Sequence, residues 1–152
     1  MDWSTREATE TLRAEREAAF AREENVRKER LKDVCGKELF EQLHAWLAGQ
    51  AQSFNEQTQR QVIKVEEIKL FGGMDSHYFF RALDSGGIRL PMRVSDNPIS
   101  HTISVECEAG QRHYPLVVDT NGNVRLQTAR HEAITVEQLG EELMNHWRSS
   151  QF

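Results

Sequence analysis

The stretch Ile88-Arg89-Leu90-Pro91-Met92-Arg93-Val94-Ser95-Asp96-Asn97-Pro98-Ile99-Ser100-His101-Thr102-Ile103-Ser104-Val105-Glu106-Cys107 contains two alternating patterns joined by a turn. In the first, Ile88, Leu90, Met92 and Val94 alternate with Arg89, Pro91, Arg93 and Ser95. In the second, Ile99, His101, Ile103, Val105 and Cys107 alternate with Ser100, Thr102, Ser104 and Glu106. Successive side chains of a strand point to opposite faces, so each pattern describes a strand with one buried and one wet side. Asp96-Asn97-Pro98 is the turn between them. Pro91 has no backbone N–H and lies in the wet row, which predicts an edge strand or a bulge at that point.

Period-2 patterning continues outward in both directions. Upstream, Val62 to Leu70 reads as a strand whose alternation slips at Glu66-Glu67, the signature of a bulge. A second strand, His77 to Asp84, is bracketed by Gly72-Gly73 and Ser85-Gly86-Gly87. Downstream, Arg112 to Asp119 and the row Val124, Leu126, Thr128 flank Asn121-Gly122, whose residues tolerate the positive φ angles of a tight hairpin. About six strands joined by short turns make an antiparallel meander.

The sheet's oily face needs a cover, and two segments at helical spacing provide it. Leu39, Phe40, Leu43, Trp46, Leu47, Ala51 and Phe54 form one wide apolar stripe. Leu139, Leu143 and Trp147 form another, opened by Thr135-Val136-Glu137-Gln138, a capping box with Ile134 and Leu139 as its hydrophobic staple. The expected fold class is α+β: one meander sheet packed on one face by an internal helix and a C-terminal helix.

The start of the chain differs from the rest. Of the first 33 residues, 17 are charged, and none is Gly or Pro, which describes a long charged helix. Gly36 is expected to end it and start the next. The chain divides on this reading into a charged helical arm, 1–34, and a single α+β domain, 35–152. Leu12, Ala19 and Val26 recur every seven residues, but their companion row is Ala8, Glu15, Arg22 and Glu29, too charged for a self-sufficient coiled coil.

Composition narrows the function classes. A net charge of −5 lacks the positive field that attracts phosphates, so no nucleic acid is expected. No apolar run reaches a membrane span, and two cysteines 72 positions apart build no disulfide framework, so a cytoplasmic protein with free thiols is expected. The Gly-Gly pairs open no helix, so they cradle no phosphate. His101 and Cys107 lie about 20 Å apart along one strand, at roughly 3.3 Å per residue, too far to share a metal ion. Asp75-Ser76-His77 and Glu66-Glu67 place neighbours on opposite sides and make no catalytic set. Neither catalytic residues nor cofactor are assigned.

Two constellations remain as candidate sites. Arg89, Arg93, Ser100, Thr102 and Arg125, with Ser104, His113 and Gln127 beside them, would make the outer sheet face basic and hydroxyl-rich, suited to an anion or an acidic partner segment. Trp46, Tyr78, Phe80, Met92, His101 and Trp147 would line any cavity between sheet and helices and admit a small apolar ligand. The leading expectation is a non-enzymatic interaction or oligomerisation module, self-associating as a homodimer or binding a protein partner. A ligand carrier or enzyme using the cavity, and a chaperone-like binder of a client segment, stand behind it.

Overall fold

The computed structural model describes residues 2–69, 78–87 and 89–149, with side chains for all of these except 67–69, 78 and 79. The element order is α1 (Trp3–Thr58), β1 (Ile63–Lys69), β2 (Tyr78–Asp84), β3 (Met92–Asn97), β4 (Thr102–Cys107), β5 (Gly110–Val118), β6 (Val124–Gln127), β7 (Ala133–Ile134) and α2 (Val136–Ser149). The seven strands pair antiparallel in chain order, so the sheet is a pure meander. The C-terminal half of α1 and α2 cover one face of it, which is the α+β arrangement the patterning implied.

The alternation translates directly into burial. Met92 and Val94 on β3, Ile103 and Val105 on β4, Tyr114 and Leu116 on β5 and Leu126 on β6 are all buried beneath the helices. From α1 they meet Phe40, Leu43, Leu47 and Ala51, and from α2 Leu139, Leu143 and Trp147. At about 1.5–3 kcal/mol per fully buried large apolar side chain, this layer is the main source of stability.

The largest departure from expectation is α1. It runs unbroken for 56 residues, and Gly36 lies inside it rather than ending it. A glycine ends a helix when its backbone turns left-handed; here it stays helical, and its lack of a side chain serves packing instead. A Cβ at Gly36 would lie 2.6 Å from Leu116 Cδ1, so the glycine lets the helix press onto β5. The true end comes at Gln59, which turns left-handed (φ 54°) and bonds back to Asn55 and Glu56. At its start, the Asp2 carboxylate accepts the Thr5 N–H at 2.9 Å, a standard N-cap.

Asn55 joins the end of α1 to the sheet. Its side-chain oxygen accepts from Val62 N at 2.8 Å and Ile63 N at 2.9 Å, and its amide donates to Ile63 O at 2.8 Å. The side chain pairs with β1 as a neighbouring strand would.

Smaller corrections have equally local causes. β3 begins at Met92 and lies between β2 and β4, so Pro91 precedes an interior strand instead of marking an edge. Leu90 and Ile99 fall in the connections and are exposed, not inward; Ile88 lies outside the described residues. The β1–β2 register runs without a gap from Ile63 opposite Asp84 to Lys69 opposite Tyr78, so there is no bulge at Glu66-Glu67. Gly72-Gly73, Leu70, His77 and Asp75-Ser76 lie outside the described residues. The β5–β6 turn spans Asp119–Asn123, with Gly122 left-handed (φ 80°). Its organiser is Asp119, whose carboxylate accepts the N–H groups of Asn121 and Asn123, both at 2.9 Å. The capping box of α2 forms as its sequence implied: Gln138 N donates to Thr135 Oγ1 at 3.1 Å and Thr135 N to Gln138 Oε1 at 3.0 Å.

Candidate functional site

The outer sheet face is built from residues whose neighbours alternate with the apolar rows. Its central cross-strand row runs Glu66, Arg81, Arg93, Glu106, Gln111 across β1 to β5. Arg81 pairs with Glu66 at 3.1 Å, and Glu106 stands directly opposite Arg93. Lys64 also reaches Glu66, at 3.0 Å. Hydrogen bonds from Lys64 and then Arg81 hold the Glu66 carboxyl below the usual carboxylate range. The basic character expected for this face is thus offset by carboxylates interleaved along the row. In the adjacent row Ser104 Oγ and His113 Nδ1 are 2.8 Å apart.

The five residues expected to form an anion site are dispersed. Arg93 and Thr102 are on the outer face, on neighbouring strands. Arg125 is on β6 and pairs with Asp119 at 3.4 Å. Ser100 is in the β3–β4 turn. Arg89 is not on the sheet: it donates to Arg148 O at 2.8 Å and pairs with Asp84 at 3.4 Å. It thereby satisfies a carbonyl at the C-terminus of α2, where a cation is favoured by the helix dipole. Trp147 Nε1 donates to Leu90 O at 2.9 Å, so the 89–90 segment is tied to that helix end twice.

The residues expected to line a cavity are mostly packing. Phe80, Met92 and Trp147 are at most 1% exposed. The Phe80 ring lies tilted against Phe40 and His44, with centroids 5.4 and 4.8 Å away. Trp46 is half-buried against Gly140, which has no room for a Cβ beneath the indole ring. The side chain of Tyr78 lies outside the described residues. The grooves beside β5 and along the start of α1 are lined by other residues.

His101 does something the sequence did not reveal. It sits at the end of the β3–β4 turn in the left-handed region (φ 50°), buried, with its carbonyl accepting the N–H of the core residue Leu116 at 2.8 Å. Its Nε2 meets Glu29 Oε2 at 2.5 Å and its Nδ1 meets Asp33 Oδ1 at 3.4 Å. Glu29 and Asp33 are one turn apart on α1, so the ring bridges the helix to the sheet where the helix leaves the body. A neutral imidazole donates to only one of these carboxylates, whereas the imidazolium donates to both. No short-range spacing could have announced this contact, because its partners are 72 and 68 positions away.

Beyond that clamp α1 projects alone. From Trp3 to Arg30 only Ala19 and Glu24 are even half-buried. Trp3 is 69% exposed and Phe20 65%, with Leu12 and Val26 at about half. The sevenfold row Leu12, Ala19, Val26 continues in spacing through Asp33 to Phe40 and Leu47, drifting about 20° around the helix per heptad, and Leu12 and Val26 are exposed. Ala19, Val26 and the arginines Arg22, Arg27 and Arg30 line a shallow groove of about 540 Å³ along it. The ion pairs present, Arg13–Glu17, Glu24–Arg27 and Glu29–Lys32, are spaced one turn apart along the helix surface. Among the described residues no group of three His, Cys, Asp or Glu converges as a metal site, and no helix is long and apolar enough to cross a membrane. Comparison of the chain with family models, with curated proteins and with solved structures found no match.

Proposed function

We propose that the protein is a non-enzymatic interaction module that self-associates through its projecting helix. The observation that carries this reading is the continuity of α1. At about 1.5 Å per residue, 56 residues reach about 84 Å, and the sheet occupies only the C-terminal part of that length. A helix that runs through Gly36 with no break is a rigid lever, and its apolar row has no partner among the described residues.

Charge favours a second copy as the partner. Residues 2–17 carry five acids and three bases, while residues 22–32 carry five bases and three acids. Two arms placed antiparallel about Ala19 set each acidic half against the other's basic half and bring Leu12 opposite Val26 of the second copy. Apolar contact and opposite charge then act together, and the parallel arrangement would oppose like charges.

Sedimentation of the full chain over a concentration series tests this. The wild type is expected to dimerise, and the doubly substituted Leu12→Glu, Val26→Glu chain to sediment as a monomer with the body's circular dichroism intact. A wild type that stays monomeric at every concentration, or a double variant with unchanged mass, overturns the reading.

A further inference from the structure

The sheet has an opening beside β5. β5 is nine residues long, but it pairs with two neighbours along different parts of its length. Its first six residues, Gly110 to Pro115, face β4, while only Leu116 to Val118 face β6. β6 ends at Gln127, and the chain turns away through Thr128–Glu132, closed by Thr128 N to Glu132 O at 2.9 Å. Among the described residues, no strand lies against the side of β5 from Gln111 to His113 that would have met a longer β6.

Hydrogen-bond parity identifies the groups left over. Leu116 N donates to His101 O, so the even-numbered residues of β5 direct their backbone groups at β4. Asp119 N donates to Asn123 O, so the odd-numbered residues direct theirs at β6. The N–H and C=O of Gln111 and of His113 therefore point into the opening. Pro115, the next residue of the same parity, has no N–H to contribute, which a strand tolerates only on an unpaired side. Beside this edge lies a groove of about 1010 Å³, walled by the Thr128–Ile134 segment and by Gln138, Glu142 and His146 of α2.

We propose that this half-edge binds an extended peptide from another protein as an added strand, with a carboxylate side chain placed opposite Arg112. The backbone groups of Gln111 and His113 are two residues apart and aimed the same way, which is the pattern an extended backbone matches. Arg112 lies between them in a non-hydrogen-bonded position, where facing side chains approach most closely. Arg112 reaches Glu142 at 3.4 Å, and Arg130 lines the same groove with Glu132, so a carboxylate entering there reaches two guanidinium groups in competition with these two glutamates. The same position disfavours a second copy: an antiparallel β5 pairing through Gln111 and His113 would set Arg112 against its own counterpart.

Selection from a displayed library of short random peptides on the full chain, followed by amide exchange with the selected peptide, tests the proposal. Enriched peptides are expected to carry Asp or Glu within an alternating extended pattern. On binding, the amides of Gln111 and His113 should slow their exchange, while those of Arg112 and Tyr114, already paired to β4, should change little. His113→Pro removes the outward N–H without touching the β4 ladder and should weaken binding roughly five- to tenfold. His113→Ala keeps that N–H and should bind like the wild type. Should His113→Pro fail to fold, Arg112→Gln supplies the second test, by abolishing the preference for a carboxylate. Failure to enrich any peptide, enriched peptides that leave both amides unprotected, or equal weakening by His113→Ala and His113→Pro overturns the proposal.

Discussion

The two parts of α1 are continuous in backbone and opposite in circumstance. Past Gly36 the helix is held by the sheet: Leu43 and Leu47 are wholly buried, and Asn55 bonds into β1. Before Glu29 the sevenfold row faces water, and Leu12 and Val26 are half exposed. Helix propensity is high in the charged part, yet the packed part carries the stability, because a helix in water gains little per residue while a buried face gains kilocalories. The comparison teaches that composition decides whether a segment is helical, and the neighbouring surface decides what the helix is worth.

The sharpest way to break this contrast is to truncate one leucine in each part. Leu43→Ala should cost about 2–5 kcal/mol in urea unfolding, since the fully buried site leaves a cavity. Leu12→Ala, measured at concentrations where copies are dissociated, should stay within roughly 0.5 kcal/mol of the wild type. Equal losses at the two sites would mean that the arm packs on the body, contrary to the structure.

A finer contrast lies between two glycines of α1. Gly49 is exposed, with no atom within 4 Å of where a Cβ would stand, so Gly49→Ala should add about 0.5–1 kcal/mol from helix propensity and chain entropy. Gly36→Ala offers the same intrinsic gain, but its Cβ collides with Leu116 Cδ1, and Leu116 is 4% exposed with little room to turn. Its thermal midpoint should therefore fall below that of Gly49→Ala. Matching midpoints would show that the helix and β5 are less closely seated than the structure has them.

These glycines also mark where the sequence was and was not legible. The rows Met92, Val94 and Ile103, Val105, and the capping box at Thr135, were readable because each depends on residues close in the chain. Gly36 was misread as a helix end because its reason for being glycine, Leu116, lies 80 positions away. Arg89 was assigned to the sheet face because its partner is the last turn of α2, and Pro91 to an edge because β3 begins one residue later. His101 fits both an alternating strand row and a turn, and only the tertiary placement of Glu29 and Asp33 distinguishes them. The candidate surfaces were least legible for the same reason: the uncovered length of α1 and the half-paired β5 follow from where neighbours stop.

The smallest expected effect locates the boundary between the two parts of α1. The Glu29 carboxyl is held below the ordinary carboxylate range, first by its hydrogen bond with His101 and further by the nearby His101 and Lys32 charges. A carboxyl with a lowered pKa in the folded state stabilises that state fully above the unfolded value, about 4.3 for glutamate. The contribution disappears as pH falls through the folded value, because the unfolded chain takes up the proton first. Glu29 is exposed, so solvent screens the interaction and the effect is modest. His101→Asn removes the imidazole while keeping a residue that tolerates φ 50°. The wild type should lose stability more steeply than His101→Asn below about pH 4.3, the two curves converging at lower pH. Asp2, Glu66 and Asp119 are also lowered, but by partners other than His101, so their contributions cancel in the difference between the two proteins. Superimposable acid limbs would mean that the clamp at Glu29 contributes nothing in solution, and the free part of the lever would then begin nearer Gly36.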